Sequence, residues 1–130
     1  MSKINNFAMP EILVIGEVLF DIFPDYRRLG GAPFNFAIHM QRMGFATQFV
    51  SRVGKDDNGK EIMSFMAQMG LESSQIQKDP KLPTGCVRVE LDERGIPKFD
   101  ILANVAYDNL DITVDIDHLL SSPVKLIYFG

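Results

Sequence analysis

Hydrophobic positions in the first half of the chain follow the pattern of alternating strands and helices. The continuous apolar run at 11–16 predicts a strand that is buried on both faces, and residues 46–54 predict a further strand. A helix is expected over 33–43, because Pro33 suits a first helical turn and Gly44 suits a helix stop. Strands followed by helices predict a parallel α/β layer with right-handed connections.

A second amphipathic helix is predicted after residues 56–58, which offer N-caps, and it is expected to end before Gly70. Its apolar stripe has spacing i, i+3, i+4, i+7 and consists of Ile62, Phe65, Met66 and Met69. Further on, a short helix is expected at about 115–121 and a buried strand at 124–130. Because a parallel sheet needs helices on both faces, we expect residues 1–130 to be the N-terminal part of one larger domain.

The period changes to two near residue 85, which predicts an antiparallel hairpin. Apolar residues Val87, Val89 and Leu91 alternate with Arg88, Glu90 and Asp92. The segment 93–95 can turn the chain back into a second strand. One face of this hairpin is therefore expected to be apolar and to cover a ligand or another subunit.

Composition and charge exclude several classes of function. The chain has 130 residues, 46% hydrophobic and 23% charged, which suits an ordinary globular domain. A net charge of −4 and scattered basic residues argue against a nucleic-acid partner. No apolar run could cross a membrane, and the single Cys86 cannot form an internal disulfide, so we expect a cytoplasmic protein. Two histidines and no Cys or His cluster predict no transition-metal site.

Polar residues suited to a polyol follow the first strand. Asp21 can accept hydrogen bonds from two hydroxyls, and Asn35 can both donate and accept. Gly30 and Gly31 would let a ligand approach the backbone just before a helix. Structural roles are also open for each of them: a turn residue for Asp21, a loop for the glycines and a local cap for Asn35.

Residues 54–61 have the glycine and lysine spacing of a Walker A phosphate loop. Glu61, however, stands where that loop needs Ser or Thr to bind magnesium, and Asp56 and Asp57 would repel phosphates. We therefore predict a capped turn here, with no nucleotide bound by this segment.

The combination of these segments resembles the PfkB-type, ribokinase-like carbohydrate kinases over nearly the whole chain. The matching positions are Gly16, Glu17, Asp21, Gly30, Gly31, Asn35, Ala37 and Gly44, followed by Val53, Gly54, Asp56 and Gly59. The Ala-Pro pair in GGAPFN is closest to the fructokinase-like branch. The resemblance implies an N-terminal part of a ribokinase-like α/β fold, in which a parallel sheet carries a projecting antiparallel lid at about 84–103.

The same resemblance implies roles for individual residues. Sugar hydroxyls would be bound by Asp21, Gly30, Gly31 and Asn35. A lid that includes Thr84, Gly85 and Phe99 would close over the monosaccharide. Asn104, at the end of the lid, would also bind the sugar. ATP and Mg²⁺ would serve the full-length enzyme. Its catalytic aspartate belongs to a C-terminal Gly-Ala-Gly-Asp element, so no catalytic residue is expected here and the chain alone is expected to be inactive.

Alternatives stay open at this point. Fructokinase-like members often have Arg before the position of Asn104, whereas this chain has Ala103, which leaves the sugar undefined. Arg88 could attract an acidic sugar or could pair with Glu90 or Asp92 across the hairpin. The chain could also be a non-catalytic sugar-binding module, or a dimerisation module whose lid buries its apolar side against the lid of a second copy.

Overall fold

The chain folds into two four-stranded sheets and three α-helices within residues 10–112, 116–120 and 123–130, which the computed structural model describes. The strands are β1 (Ile12–Ile15), β2 (Leu19–Ile22), β3 (Arg27–Gly30), β4 (Thr47–Gly54), β5 (Ile76–Asp79), β6 (Gly85–Leu91), β7 (Pro97–Ile101) and β8 (Leu126–Phe129). The helices are α1 (Ala32–Arg42), α2 (Asp57–Gln68) and α3 (Ile116–Leu120), with a 3₁₀ helix at Ala106–Asn109.

The main sheet is parallel and has the strand order β5-β4-β1-β8. One face packs against α1 and α2, and its central buried residues are Ile12, Val14, Phe34, Ala37, Ile38, Phe49, Val53, Ile62 and Met66. On the other face, Leu13 and Val50 pack against Leu119 of α3. Side chains alternate between the two faces of each strand, so β1 contributes to both clusters. The predicted parallel α/β layer is confirmed.

The helix boundaries follow the local signals in the sequence. In α1, Pro33 lies in the first turn, where a missing backbone N–H costs nothing, and Gly44 follows the last turn with a φ of 94°. The side chain of Asp56 caps α2 by accepting a 2.8 Å hydrogen bond from the backbone N–H of Gly59. This cap replaces one of the backbone partners that a helix start lacks.

The second sheet is larger than the predicted hairpin. Its order is β3-β2-β6-β7, with β2 antiparallel to β3 and parallel to β6, and the predicted β6–β7 hairpin forms its outer half. No strand was predicted within residues 17–30. They instead form two short strands, because β6 supplies hydrogen-bond partners from a distant part of the chain.

The faces of the lid hairpin alternate as predicted, but its apolar face is not free. Val87 and Val89 are buried against Leu19, with Phe23 and Tyr107 packed beside them. The expectation that these two valines pack against a second copy is therefore wrong, since their own chain covers them. The exposed apolar residues of the hairpin are Leu91, Ile96, Phe99 and Ile101.

No helix in the part of the chain that the structure describes is long and apolar enough to cross a membrane. The polar N-terminal tail and part of the predicted 115–121 helix lie outside the described residues.

Candidate functional site

The carboxylate of Asp21 lies close to Gly30, diagonally across the β2–β3 pair. A Cβ atom on Gly30 would lie 3.0 Å from Oδ2 of Asp21, which is closer than an ordinary van der Waals contact. Glycine at position 30 therefore leaves room for the carboxylate and keeps it half-buried and reachable from solvent. The structure brings these two predicted site residues together.

Gly31 and Asn35 continue the same site into the start of α1. Gly31 has a φ of 105°, and an added Cβ would lie 2.8 Å from the carbonyl oxygen of Glu17, so the chain requires glycine here. The backbone N–H of Asn35 donates to the carbonyl of Gly31 at 2.9 Å, while the Asn35 side chain is exposed. Gly31 caps α1 without a side chain, so no side chain accepts a hydrogen bond from the backbone N–H groups at the start of this helix.

Phe99 lies on the same face of the second sheet as Asp21. The strand register places Asp21, Val87 and Ile101 in one row across β2, β6 and β7, and Phe99 pairs with Val89 in the next row. Two interstrand spacings separate β2 from β7, a distance of about 10 Å. An exposed aromatic ring therefore stands on the same face as the carboxylate, with the buried side chains of β6 between them.

Asn104 follows the end of β7 and is exposed. Its φ of 57° lies in the left-handed region, which asparagine tolerates better than most residues. The structure leaves its side chain open to solvent without bringing it into the group formed by Asp21, Gly30, Gly31 and Asn35.

Thr84 was expected to contact the sugar, but it is buried and only 1% exposed. Its hydroxyl accepts from the backbone N–H of Gly54 at 2.9 Å and donates to Oδ1 of Asp56 at 2.6 Å. Its own backbone N–H donates to Oδ2 of Asp56 at 2.9 Å. Burial alone would raise the pKa of Asp56, but these hydrogen bonds and the one from Gly59 outweigh it and lower the pKa.

The Asp56–Thr84 contact fills the turn at residues 54–61 from within. The carboxylate of Asp56 takes the backbone N–H groups of Gly59 and Thr84, which are the kind of donors that a phosphate would need. The prediction of a capped turn in this segment is confirmed.

Gly85 supports the aromatic ring of Tyr107. An added Cβ would overlap the ring atoms Cε2 and Cδ2, so only glycine allows the 3₁₀ helix to pack on β6 here. Burial, followed by the negative charges of Asp108 and Glu17, raises the pKa of the Tyr107 hydroxyl. Thr84 and Gly85 thus fix the base of the lid, and neither presents a side chain to a sugar.

An open cleft of about 490 Å³ lies at the carboxyl ends of β1 and β8. Open α/β sheets bind ligands at this edge. Its lining residues are Ile15, Gly16, Glu17, Tyr107, Leu110, Ile112, Phe129 and Gly130. Glu17 connects the cleft to the candidate site, because its backbone packs on Gly31.

Comparison with known proteins identifies the family. A family model described as pfkB family carbohydrate kinase matches residues 9–129. The chain belongs to this family. The resemblance inferred from Asp21, the glycine pair and Asn35 is therefore confirmed at the level of the family.

Relatives of this pfkB-family chain include sugar kinases and fructokinases. An uncharacterized sugar kinase of Pyrococcus horikoshii is 31% identical over 136 residues, which cover 96% of this chain and 43% of the relative. A fructokinase of Vibrio alginolyticus is 30% identical over 105 residues, or 77% of this chain and 34% of the relative. The chain thus spans less than half the length of these relatives.

Solved structures agree with this fold. The Pyrococcus horikoshii protein in complex with ATP superimposes with a TM-score of 0.76 at 27% identity, covering 92% of this chain and 42% of that one. A ribokinase of Giardia lamblia superimposes with a TM-score of 0.79 at 21% identity, covering 94% of this chain and 42% of that one. The pfkB chain therefore has the predicted ribokinase-like α/β fold.

One polar cluster of this pfkB chain, centred on Asp79, was not predicted from the sequence, because no motif marks it. Asp79 is buried and accepts backbone N–H groups from Lys81 and Leu82 at 2.8 Å, together with side-chain donors from Asn109 and Arg52. The backbone hydrogen bonds, followed by the side-chain donors, hold the pKa of Asp79 well below its ordinary range. This cluster joins β4, β5 and the 3₁₀ helix below the lid, so we interpret it as structural.

Within the described residues, His, Cys, Asp and Glu side chains form no group of three or more that could hold a metal ion.

Proposed function

We propose that the protein is an ATP-dependent carbohydrate kinase of the fructokinase-like type, and that residues 1–130 form the sugar-binding part of its kinase domain. One observation carries this proposal. The carboxylate of Asp21 lies directly over Gly30, next to the open start of α1 at Gly31. This arrangement offers acceptors and donors within a few ångströms of each other, as a polyol requires.

Each side chain has a distinct part in the proposed site. Asp21 accepts hydrogen bonds from sugar hydroxyls, and such charge-assisted bonds are the stronger kind. Asn35 and the first amides of α1 add donors from the other side. Phe99 closes over the apolar face of the sugar ring from the lid, and Asn104 supplies a further donor and acceptor at its end. Thr84 and Gly85 act indirectly by fixing the base of the lid.

The phosphoryl-transfer machinery belongs to the rest of the parent enzyme in this proposal. Transfer of the γ-phosphoryl group to a hydroxyl needs ATP, Mg²⁺ and a base that accepts the hydroxyl proton. The relatives are more than twice as long as the segment matched here, and we assign the aspartate base and the nucleotide site to that additional length. The 130-residue chain alone would then bind sugar without phosphorylating it. A cytoplasmic location remains part of the proposal.

The test is a coupled phosphorylation assay with MgATP over a panel of D-fructose, D-ribose, D-glucose and D-gluconate. It compares the 130-residue chain with its parent polypeptide and adds calorimetric sugar binding to both. We expect binding by both and phosphorylation by the parent alone. Phosphorylation by the 130-residue chain would disprove the assignment of the base. Binding by both without phosphorylation by either would favour the non-catalytic sugar-binding module.

Asp21→Asn should weaken binding of the best sugar about 10- to 100-fold, since it removes a charged hydrogen-bond acceptor. The matched control is Asp25→Asn, an exposed residue between β2 and β3 that should bind sugar as the wild type does. Equal effects of the two substitutions would show that Asp21 has no specific role in sugar binding.

We also propose that the protein forms a homodimer through the exposed apolar side of the lid. Leu91 and Ile96 are both more than half exposed, and neither belongs to the sugar site. Sedimentation at micromolar concentration should show a dimer for the wild type and a monomer for Leu91→Lys with Ile96→Lys. A monomeric wild type would end this proposal and leave the sugar site untouched.

A further inference from the structure

Two consecutive arginines on β3 point to opposite faces of the second sheet. The guanidinium of Arg27 lies 4.2 Å from the centroid of the Phe20 ring and forms an ion pair with Glu61 of α2. The face of the second sheet that carries Arg27 is therefore the one that packs toward the main core. Arg28 follows directly, so strand alternation turns it to the other face, which is the face of Asp21.

Arg28 lies opposite Asp21 in the β2–β3 register. Its Nη2 is 3.9 Å from Oδ2 of Asp21, and its guanidinium carbon is 5.5 Å from the centroid of the Phe23 ring. That ring is itself stacked on Tyr26 at 4.5 Å, which gives the guanidinium a firm support. The side chain is 65% exposed, so most of its N–H donors face solvent.

The gap between Arg28 and Asp21 is too long for a direct hydrogen bond but has the right width for one bridging oxygen. An oxygen about 2.8 Å from both atoms fits between them. A sugar hydroxyl is suited to this place, because it can donate to the carboxylate and accept from the guanidinium at the same time. A carboxylate could only accept from the guanidinium, and an ammonium could only donate to the carboxylate.

We propose that Arg28 is a sugar-recognition residue, and that Arg28 and Asp21 together hold one hydroxyl of the substrate as a donor–acceptor pair. This inference rests on the proposed sugar site. A site of this kind is selective for sugars that place a hydroxyl between Arg28 and Asp21. Arg28 also places a cation beside the Asp21 carboxylate.

Arg88, the arginine of the lid hairpin, does not share this role with Arg28. Arg88 pairs in register with Ile22 of β2 and with Asp100 of β7, one row away from Asp21 and therefore on the opposite face of the sheet. Asp100 lies directly across the hairpin from it, so the cross-strand neighbour of Arg88 is Asp100 and not the predicted Glu90 or Asp92, which follow Arg88 along the chain. Arg88 is consequently a matched control: an exposed arginine on the same sheet that faces away from the site.

The experiment measures calorimetric binding of the tightest sugar in the panel to the wild type and to Arg28→Gln, Asp21→Asn, the double variant and Arg88→Gln. Circular dichroism verifies that each variant is folded. We expect Arg28→Gln to bind about 10-fold more weakly and Arg88→Gln to bind as the wild type does. The double variant should be weakened by less than the product of the two single effects, because both residues hold the same hydroxyl.

Monodeoxy analogues of that sugar identify the hydroxyl. For one analogue, the wild type and Arg28→Gln should bind equally, since the bridging oxygen is missing from the ligand. Equal binding of the intact sugar by Arg28→Gln and wild type, with a loss for Asp21→Asn, would overturn the role of Arg28 and keep the sugar site. If Arg28→Gln and Arg88→Gln lost sugar affinity equally, the loss would come from the change in overall charge. That result would also overturn the role of Arg28. Absence of binding of any panel sugar to the wild type would remove both proposals.

Discussion

Replacing Thr84 by Val should destabilise the fold strongly although it keeps the shape of the side chain. The hydroxyl of Thr84 is the acceptor for the backbone N–H of Gly54 and a donor to Asp56; Thr84 and Gly54 are buried, whereas Asp56 is half-buried. Val fills the same space without offering either partner a hydrogen bond. The N–H of Gly54 then stays buried and unpaired, and Asp56 loses one of its hydrogen-bond donors.

An unpaired buried N–H costs about 1–3 kcal/mol and the lost hydrogen bond to the half-buried Asp56 costs about 1 kcal/mol, so the free energy of unfolding should fall by about 2–4 kcal/mol. Single domains are commonly stable by about 5–15 kcal/mol, which makes this loss a large fraction of the total. The corresponding fall in the unfolding midpoint is on the order of 10 °C for a chain of this size. Urea and thermal unfolding, followed by circular dichroism, measure both quantities.

Thr84→Ser is the control, since it keeps the hydroxyl and removes only a methyl group. Its loss should be about 1 kcal/mol. If Thr84→Val proved as stable as Thr84→Ser, the hydrogen bonds to Gly54 and Asp56 would contribute nothing. The interpretation of Thr84 as the residue that fixes the base of the lid would then fail.

Two further predictions concern the same region. Gly85→Ala should lower the unfolding midpoint by several degrees, because its Cβ would displace the ring of Tyr107; near-ultraviolet circular dichroism reports the ring, and an unchanged spectrum and midpoint would contradict the packing. The pKa of Asp56 is lower in the folded state than its ordinary value of 3.8, so its stabilising effect is complete above that value and is lost as the pH falls through the folded pKa. Urea unfolding from pH 5 to pH 2 should therefore be less steeply pH-dependent for Asp56→Asn than for the wild type, and identical slopes would refute this.

Several elements were predictable because their signals are local. The continuous apolar run of β1 marks a strand buried on both faces, and Pro33 and Gly44 bound α1 by their own backbone preferences. The stripe through Ile62 and Met66 marks the buried face of α2. In the candidate site, Asp21 and the glycine pair were predictable as a motif, and the structure joins them through the contact between Asp21 and Gly30.

Other features depend on partners that are distant along the chain. β2, β3 and β5 are short and carry charged residues, so their own sequence predicts turns as readily as strands. They are strands because β6 and β4 supply their hydrogen bonds. β3 follows in turn from its pairing with β2.

The amino-acid sequence by itself determined the α/β class and the family motif, and it supplied the residues proposed to bind a polyol, because these follow from local periodicity and side-chain chemistry. Only the tertiary structure decided that Thr84 is buried, that Val87 and Val89 are covered by their own chain, and that Arg28 rather than Arg88 accompanies Asp21. The reason is physical. The face and burial of a strand residue depend on register, and a shift of one position exchanges the two faces of a strand.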